Sequence, residues 1–140
     1  MTLYHKNRTL TVLTILFVLS FFLPVVYSPE DMLLGFHCAV WSFVKLFVDI
    51  GSGKFPAILV DIFHILPNIL MLVLFVSRKK ISLWLKYLFF FIVLLSSGSW
   101  IFIAKEYLSM DSITLNVGYW LWFLSSIAYI LVDAFPARRE

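Results

Sequence analysis

Four long apolar stretches divide the chain, Leu10–Tyr27, Pro56–Ser77, Ser82–Ala104 and Asn116–Phe135. Each comes close to the ~20 residues that a helix needs to cross about 30 Å of hydrocarbon, so each predicts a transmembrane helix. Between the first two lies Met32–Ile50, which has a different pattern. Phe36, Val40, Phe43, Val44 and Phe47 recur at helical spacing on one face, and Lys45 and Asp49 stand one turn apart. Gly51-Ser52-Gly53 then breaks the helix, and Pro56 suits the start of the next.

The basic residues set the expected topology. Lys6 with Arg8, Arg78-Lys79-Lys80, and Arg138-Arg139 all belong on the cytoplasmic side under the positive-inside rule. Four spans with both termini inside satisfy the three clusters together. The outer loops, Ser28–Phe55 and Lys105–Leu115, then hold Glu30, Asp31, Asp49, Glu106 and Asp111. A fifth span through Met32–Ile50 would carry Arg78-Lys79-Lys80 outside, so this segment is expected instead as an amphipathic helix lying in the outer interface. The first stretch follows His5-Lys6-Asn7-Arg8 and has the outline of a signal peptide. Pro24–Ser28 lacks a small-x-small cleavage pattern, so an uncleaved helix is expected.

The predicted fold is therefore an all-α membrane protein, a four-helix transmembrane bundle with an extra interfacial amphipathic helix in the first outer loop. It forms a single domain over residues 1–140. Helices are expected at 10–27, 56–77, 82–104 and 116–135, with the interfacial helix at 32–50.

Composition agrees with this pattern. Apolar residues make up 62% and charged residues 14% of the 140, against about half and a quarter in soluble domains, so the excess apolar surface must face lipid. Trp84 and Tyr87 fall near the inner end of the third helix, Tyr107 follows its outer end, and Tyr27 closes the first helix. With Tyr119, Trp120 and Trp122 near the outer end of the fourth, these are expected interface anchors. The net charge of +3 comes from clusters beside apolar runs and does not point to nucleic acid. The single cysteine, Cys38, excludes an internal disulfide and a cysteine-based metal cluster.

The second helix carries the candidate chemistry. Asp61, His64 and Asn68 are spaced by three and four, which puts them on one helical face inside a span. Such groups are costly in hydrocarbon and turn toward the bundle interior. Pro67 cannot donate to the carbonyl of Phe63, which is left free to bond elsewhere. At ~1.5 Å per residue, His64 lies about 12 Å from the outer end of its helix, Ser96, Ser97, Gly98 and Ser99 about 8–12 Å, Ser125 and Ser126 about 13–15 Å, and Ser20 about 10 Å. All four helices thus bring polar or small residues to one outer-half layer. Helix packing alone accounts for the serines. The functional alternative is a polar pocket open to the outer face that binds a proton, a cation or a small ligand, with His64 titrating and Asp61 orienting it.

Other constellations are weaker. His37 and Cys38 are adjacent in the chain, so on a helix they point ~100° apart and make a poor metal pair. His37 and His64 as haem ligands would need to face each other in the bundle core. Asp133 is expected to pair with Arg138 or Arg139. No catalytic constellation or phosphate loop appears, and no cofactor is called for.

Three stretches carry a resemblance: Ser20-Phe-Phe-Leu-Pro-Val-Val-Tyr27, Leu66-Pro-Asn running on to Arg78-Lys79-Lys80, and Val117-Gly-Tyr-Trp-Leu-Trp-Phe-Leu-Ser-Ser126. Together they resemble a loose group of small, uncharacterised bacterial four-helix inner membrane proteins. The resemblance covers most of the chain. It implies a bacterial inner membrane protein and brings neither an activity nor site residues.

The expected function is that of a small multi-pass protein of the inner (plasma) membrane, non-enzymatic, of an accessory, immunity-type or partner-binding kind. Its partners would be the lipid bilayer and another membrane protein or a second copy of itself. The docking surface would be Phe36, Val40, Trp41, Phe43 and Phe47. The alternative is a small oligomeric transporter or channel subunit that uses the polar layer around Asp61 and His64.

Overall fold

A computed structural model describes residues 2–28, 32–107 and 113–135, without the side chains of 104–107. Expectations for Glu30, Asp31, Asp111, Arg138 and Arg139, and for the side chains of Lys105, Glu106 and Tyr107, lie outside the described residues. Within them the chain forms five helices, α1 (Leu3–Ser20), α2 (Gly35–Gly51), α3 (Phe55–Ser77), α4 (Leu83–Tyr107) and α5 (Val117–Ala134). Three short strands, β1 (Pro24–Tyr27), β2 (Met32–Leu34) and β3 (Thr114–Leu115), join them.

Three helices are long and apolar enough to cross a membrane: α3, the Leu83–Ile103 part of α4, and α5. Their outward surfaces are greasy, with Val76 at 85% and Phe102 at 84% exposure. Water would not tolerate such surfaces, and the chain is a membrane protein. The bundle expectation holds to that extent. The helix α1 matches α5 in length but carries Lys6 and Arg8 in its first two turns, and it is not among the three.

The first helix departs from the expected 10–27. It starts at Leu3, where Thr2 Oγ1 caps it by accepting from the His5 N–H at 3.3 Å. It ends at Ser20, and Pro24, which disfavours helical backbone at Leu23, opens a strand instead. The sheet has order β2-β1-β3, antiparallel throughout, with Val26 fully buried at its centre. The all-helix expectation missed this cap. In an apolar setting, backbone that leaves a helix must find other backbone, and here the segments entering α2 and α5 supply it.

Two glycines let these joints close. A Cβ on Gly35 would meet Ser20 O at 2.6 Å and Phe21 Cα at 2.7 Å. A Cβ on Gly118 would meet the carbonyl oxygens of Pro24 and Leu23 at 2.6 and 2.8 Å. The helices α2 and α5 therefore start directly against the backbone at the end of α1. From there α5 runs antiparallel along α1 to its far end, where Lys6 Nζ bonds the carbonyls of Asp133 and Phe135 at 2.8 and 2.6 Å. The core between that end and the middle is apolar, built from Leu10, Phe17, Leu70, Met71, Leu74, Phe89, Val93, Tyr129 and Ile130.

The helix α2 begins at Gly35 rather than Met32 and packs along α3, not away from the bundle. Its exposed surface holds Phe36, Val40, Trp41, Phe43, Val44, Phe47, Val48 and Ile50, with His37 the polar exception near its start. The opposite side carries Cys38, Ser42, Lys45 and Asp49 at spacings of four, three and four, and this stripe is buried or half-buried. A helix lying alone in an interface turns such a stripe to water. Here it is turned to α3.

The close approaches give a test. Gly35→Ala and Gly118→Ala should each destabilise the fold by about 1–3 kcal/mol through overpacking. Gly98→Ala, where an added Cβ meets nothing within 4 Å, should be neutral or stabilising by up to about 1 kcal/mol. Thermal unfolding of the three variants in detergent checks the contrast.

Candidate functional site

The row Asp61, His64, Asn68 on α3 faces inward, as the spacing requires, and each member is met by a different element. The fully buried Asp61 carboxylate lies 3.8 Å from Lys45 Nζ of α2. His64 Nε2 lies 3.3 Å from Ser99 Oγ of α4. Asn68 Oδ1 accepts from Trp122 Nε1 of α5 at 2.9 Å. One helical face therefore ties three neighbours to α3. Lys45 also lies 3.9 Å from Asp49, so a single ammonium stands between two carboxylates. The expected orienting partner of His64, Asp61, is held by this lysine, and the His64 ring packs edge-on to Trp100 at 5.3 Å.

The sequence reading did not connect Lys45 to Asp61. The signal was present: both are equally far from Gly53, so a tight helical hairpin brings them level. The turn is closed by Lys54 N–H donating to Asp49 O at 3.1 Å. Read across this hairpin, the stripe of α2 and the row of α3 are two polar edges facing one another.

Pro67 has the expected consequence. The Phe63 carbonyl that it frees accepts a bond from Ser96 Oγ of α4. Ser99 Oγ in turn donates to Ser96 O at 2.7 Å, and Tyr119 OH donates to Ser97 O at 2.7 Å. The Ser97 hydroxyl is buried without a hydrogen-bond partner among the described residues. Ser125 and Ser126 both donate to Trp122 O of their own helix, at 3.1 and 2.7 Å. These two are buried but stay within α5 rather than joining Asp61 and His64. Tyr119 and Trp122, expected at the membrane boundary, point into the bundle; Trp84 and Trp120 remain exposed.

A part-open cavity of about 50 Å³ lies at this level, lined by Cys38 and Ser42 of α2, His64 and Asn68 of α3, Trp100 of α4, and Tyr119 and Trp122 of α5. That is room for a few water molecules. Of the eight residues expected to form a pocket, His64 and Asn68 line it, whereas Asp61, Ser96, Ser97, Ser99, Ser125 and Ser126 do not. Of its aromatic walls, Tyr119 and Trp122 were expected at the interface, whereas Trp100 was not. Cys38 joins the lining while His37 is exposed, its Nδ1 accepting from the Leu34 N–H at 3.4 Å at the start of α2. The adjacent pair is thus split, and the described residues hold no group of three metal-ligating side chains.

Basic residues gather at the opposite end of the bundle. Arg78 donates to Asn7 Oδ1 at 3.1 Å, and Lys86 pairs with Asp133 at 2.7 Å. Lys86 is thus a partner of Asp133 among the described residues, and the expected partners Arg138 and Arg139 lie outside them. Compared with protein-family models, curated proteins and solved structures, the chain has no match.

The exchange at Pro67 can be tested. Ser96→Ala leaves the part-buried Phe63 carbonyl without its donor and should cost about 1–3 kcal/mol. Pro67→Ala restores an N–H able to close the helix on that carbonyl. In the double variant the loss of Ser96 should cost less than half as much, read as unfolding free energies around the four-member cycle.

Proposed function

We propose that the chain is a four-span protein of the bacterial inner membrane with both ends in the cytoplasm, and that it acts without catalysis as a partner-binding protein of the accessory or immunity type. The fourth span is α1. It runs antiparallel along the whole of α5, and its outward residues Val12, Ile15, Val18 and Leu19 are apolar. A helix that accompanies a spanning helix from end to end spans with it. Lys6, Arg78 and Lys86 share one end of the bundle, and the positive-inside rule assigns that end to the cytoplasm.

The observation that carries partner binding is the orientation of α2. Its polar stripe is consumed against α3, and its free face offers Phe36, Val40, Trp41, Phe43 and Phe47. At 17 residues, about 25 Å, it is short for a span of its own. A soluble partner would find little to hydrogen-bond there. The occupant that fits is an apolar transmembrane helix of another membrane protein, approaching laterally in the outer half of the bilayer.

A second reading, an oligomeric transporter or channel subunit working through His64 and Asp61, draws support from the cavity beside His64 and Asn68. The apolar layer of Phe17, Leu70, Met71, Leu74 and Val93 between that cavity and the basic end counts against it, since it interrupts any polar path.

Photo-crosslinking from position 47 or 40 in intact membranes separates the readings. The docking account predicts one discrete protein adduct, lost in Phe43→Ala/Trp41→Ala. Lipid adducts alone would contradict it, and an adduct of twice the chain mass would replace the foreign partner by a second copy. The transport account predicts no such adduct, and loss of the deletion phenotype's rescue in well-folded Asp61→Asn/His64→Gln.

A further inference from the structure

Of the described side chains, those at the basic end of the bundle carry more positive charge than they neutralise. Among the described residues this end brings together Lys6 and Arg8 of α1, Arg78, Lys79 and Lys80 of the α3–α4 turn, and Lys86 of α4, against the one carboxylate of Asp133. That carboxylate is taken by Lys86 at 2.7 Å, and Lys6 is engaged by two carbonyls at the end of α5. Arg78 differs from both. Its partners are neutral, Asn7 Oδ1 at 3.1 Å and the Tyr129 side chain, so its guanidinium is positioned without being neutralised by a carboxylate among the described residues. It is half-buried, while Arg8, Lys79 and Lys80 around it are exposed.

A guanidinium has five donors in a planar fork, more than two neutral acceptors can use, and its geometry suits the oxygens of a phosphate. We infer that Arg78 is the centre of a site for the phosphate of an anionic phospholipid headgroup, with Arg8, Lys79 and Lys80 supplying the surrounding field. A lipid fits better than free phosphate for a reason of position. The cluster closes the ends of apolar helices, Trp84 and Tyr87 stand exposed beside it, and Leu72 and Val76 of α3 offer an apolar surface on which acyl chains can lie. The positive-inside rule alone explains why cations collect here. It does not explain an arginine fixed between two neutral groups. This inference needs only a bundle embedded in a bilayer, and it stands or falls apart from helix docking on α2.

The test uses the full chain purified in a neutral detergent. Its unfolding midpoint is measured with added phosphatidylglycerol, phosphatidylcholine or inorganic phosphate at matched phosphate concentration and ionic strength. Phosphatidylglycerol should raise the midpoint by about 5 °C and phosphatidylcholine by much less. The shift should vanish in Arg78→Gln and largely survive in Lys79→Gln/Lys80→Gln. An equal shift with phosphatidylcholine, or full retention in Arg78→Gln, overturns the site. An equal shift with inorganic phosphate alone overturns its assignment to a lipid. Where Arg78→Gln yields no folded protein, Arg78→Lys keeps the charge and gives up the fork. The fraction of chains carrying a phosphatidylglycerol adduct in native mass spectrometry should then fall about threefold, and an unchanged fraction overturns the inference.

Discussion

A carboxylate inside an apolar bundle must be matched, and much of this half of the fold follows from how Asp61 is matched. An uncompensated charge there costs several kcal/mol or more. The ammonium that approaches it is on α2, a helix that the chain must fold back to present. Once Lys45 is committed to Asp61 at 3.8 Å, the rotation of α2 is set. Ser42 and Cys38 come to rest over His64 and Asn68, and the phenylalanines are turned outward. One ion pair thus links a buried charge on α3, the orientation of a second helix, and the apolar face that gives the protein a surface to offer.

The same logic of satisfaction governs the rest of that layer. Pro67 removes a backbone donor, and Ser96 returns one to the freed Phe63 carbonyl. Asn68 engages Trp122, and Ser97 O takes the hydroxyl of Tyr119. Beyond it the core is apolar, and the far end gathers Lys6, Arg78 and Lys86. The polarity of the molecule runs from a hydrogen-bonded half through an apolar middle to a basic end.

How much of this was legible in the sequence depended on the length and period of each signal. The helices α3, α4 and α5 were found to within a few residues because long apolar runs bounded by Pro, Lys or Asn leave little choice. The inward row Asp61, His64, Asn68 was legible because helical spacing alone puts these residues on one face. The release of the Phe63 carbonyl was legible as well, since it is a covalent property of proline. The end of α1 was misjudged, because Val25, Val26 and Tyr27 are apolar enough to extend a span, and a strand of four residues leaves no periodic trace. The side chains that Asp61, Tyr119 and Trp122 would meet could not be read from composition. Aromatic residues near a helix end suit an interface and a cavity wall equally well, and only the packing of α1, β1 and α5 decides. The partner of Lys45 has a signal of its own in the chain. The stripe Cys38, Ser42, Lys45, Asp49 is as regular as the phenylalanine face opposite it, so the polar side of α2 needs a partner as much as the apolar side does.

The central claim is that the Lys45–Asp61 pair fastens α2 to the bundle. Its most direct test is a double-mutant cycle on unfolding free energy with Lys45→Met and Asp61→Asn. The account predicts that Lys45→Met alone costs about 3 kcal/mol and that most of this is recovered when Asp61→Asn is added, a coupling well above 1 kcal/mol. Additivity of the two changes within about 0.5 kcal/mol would contradict it.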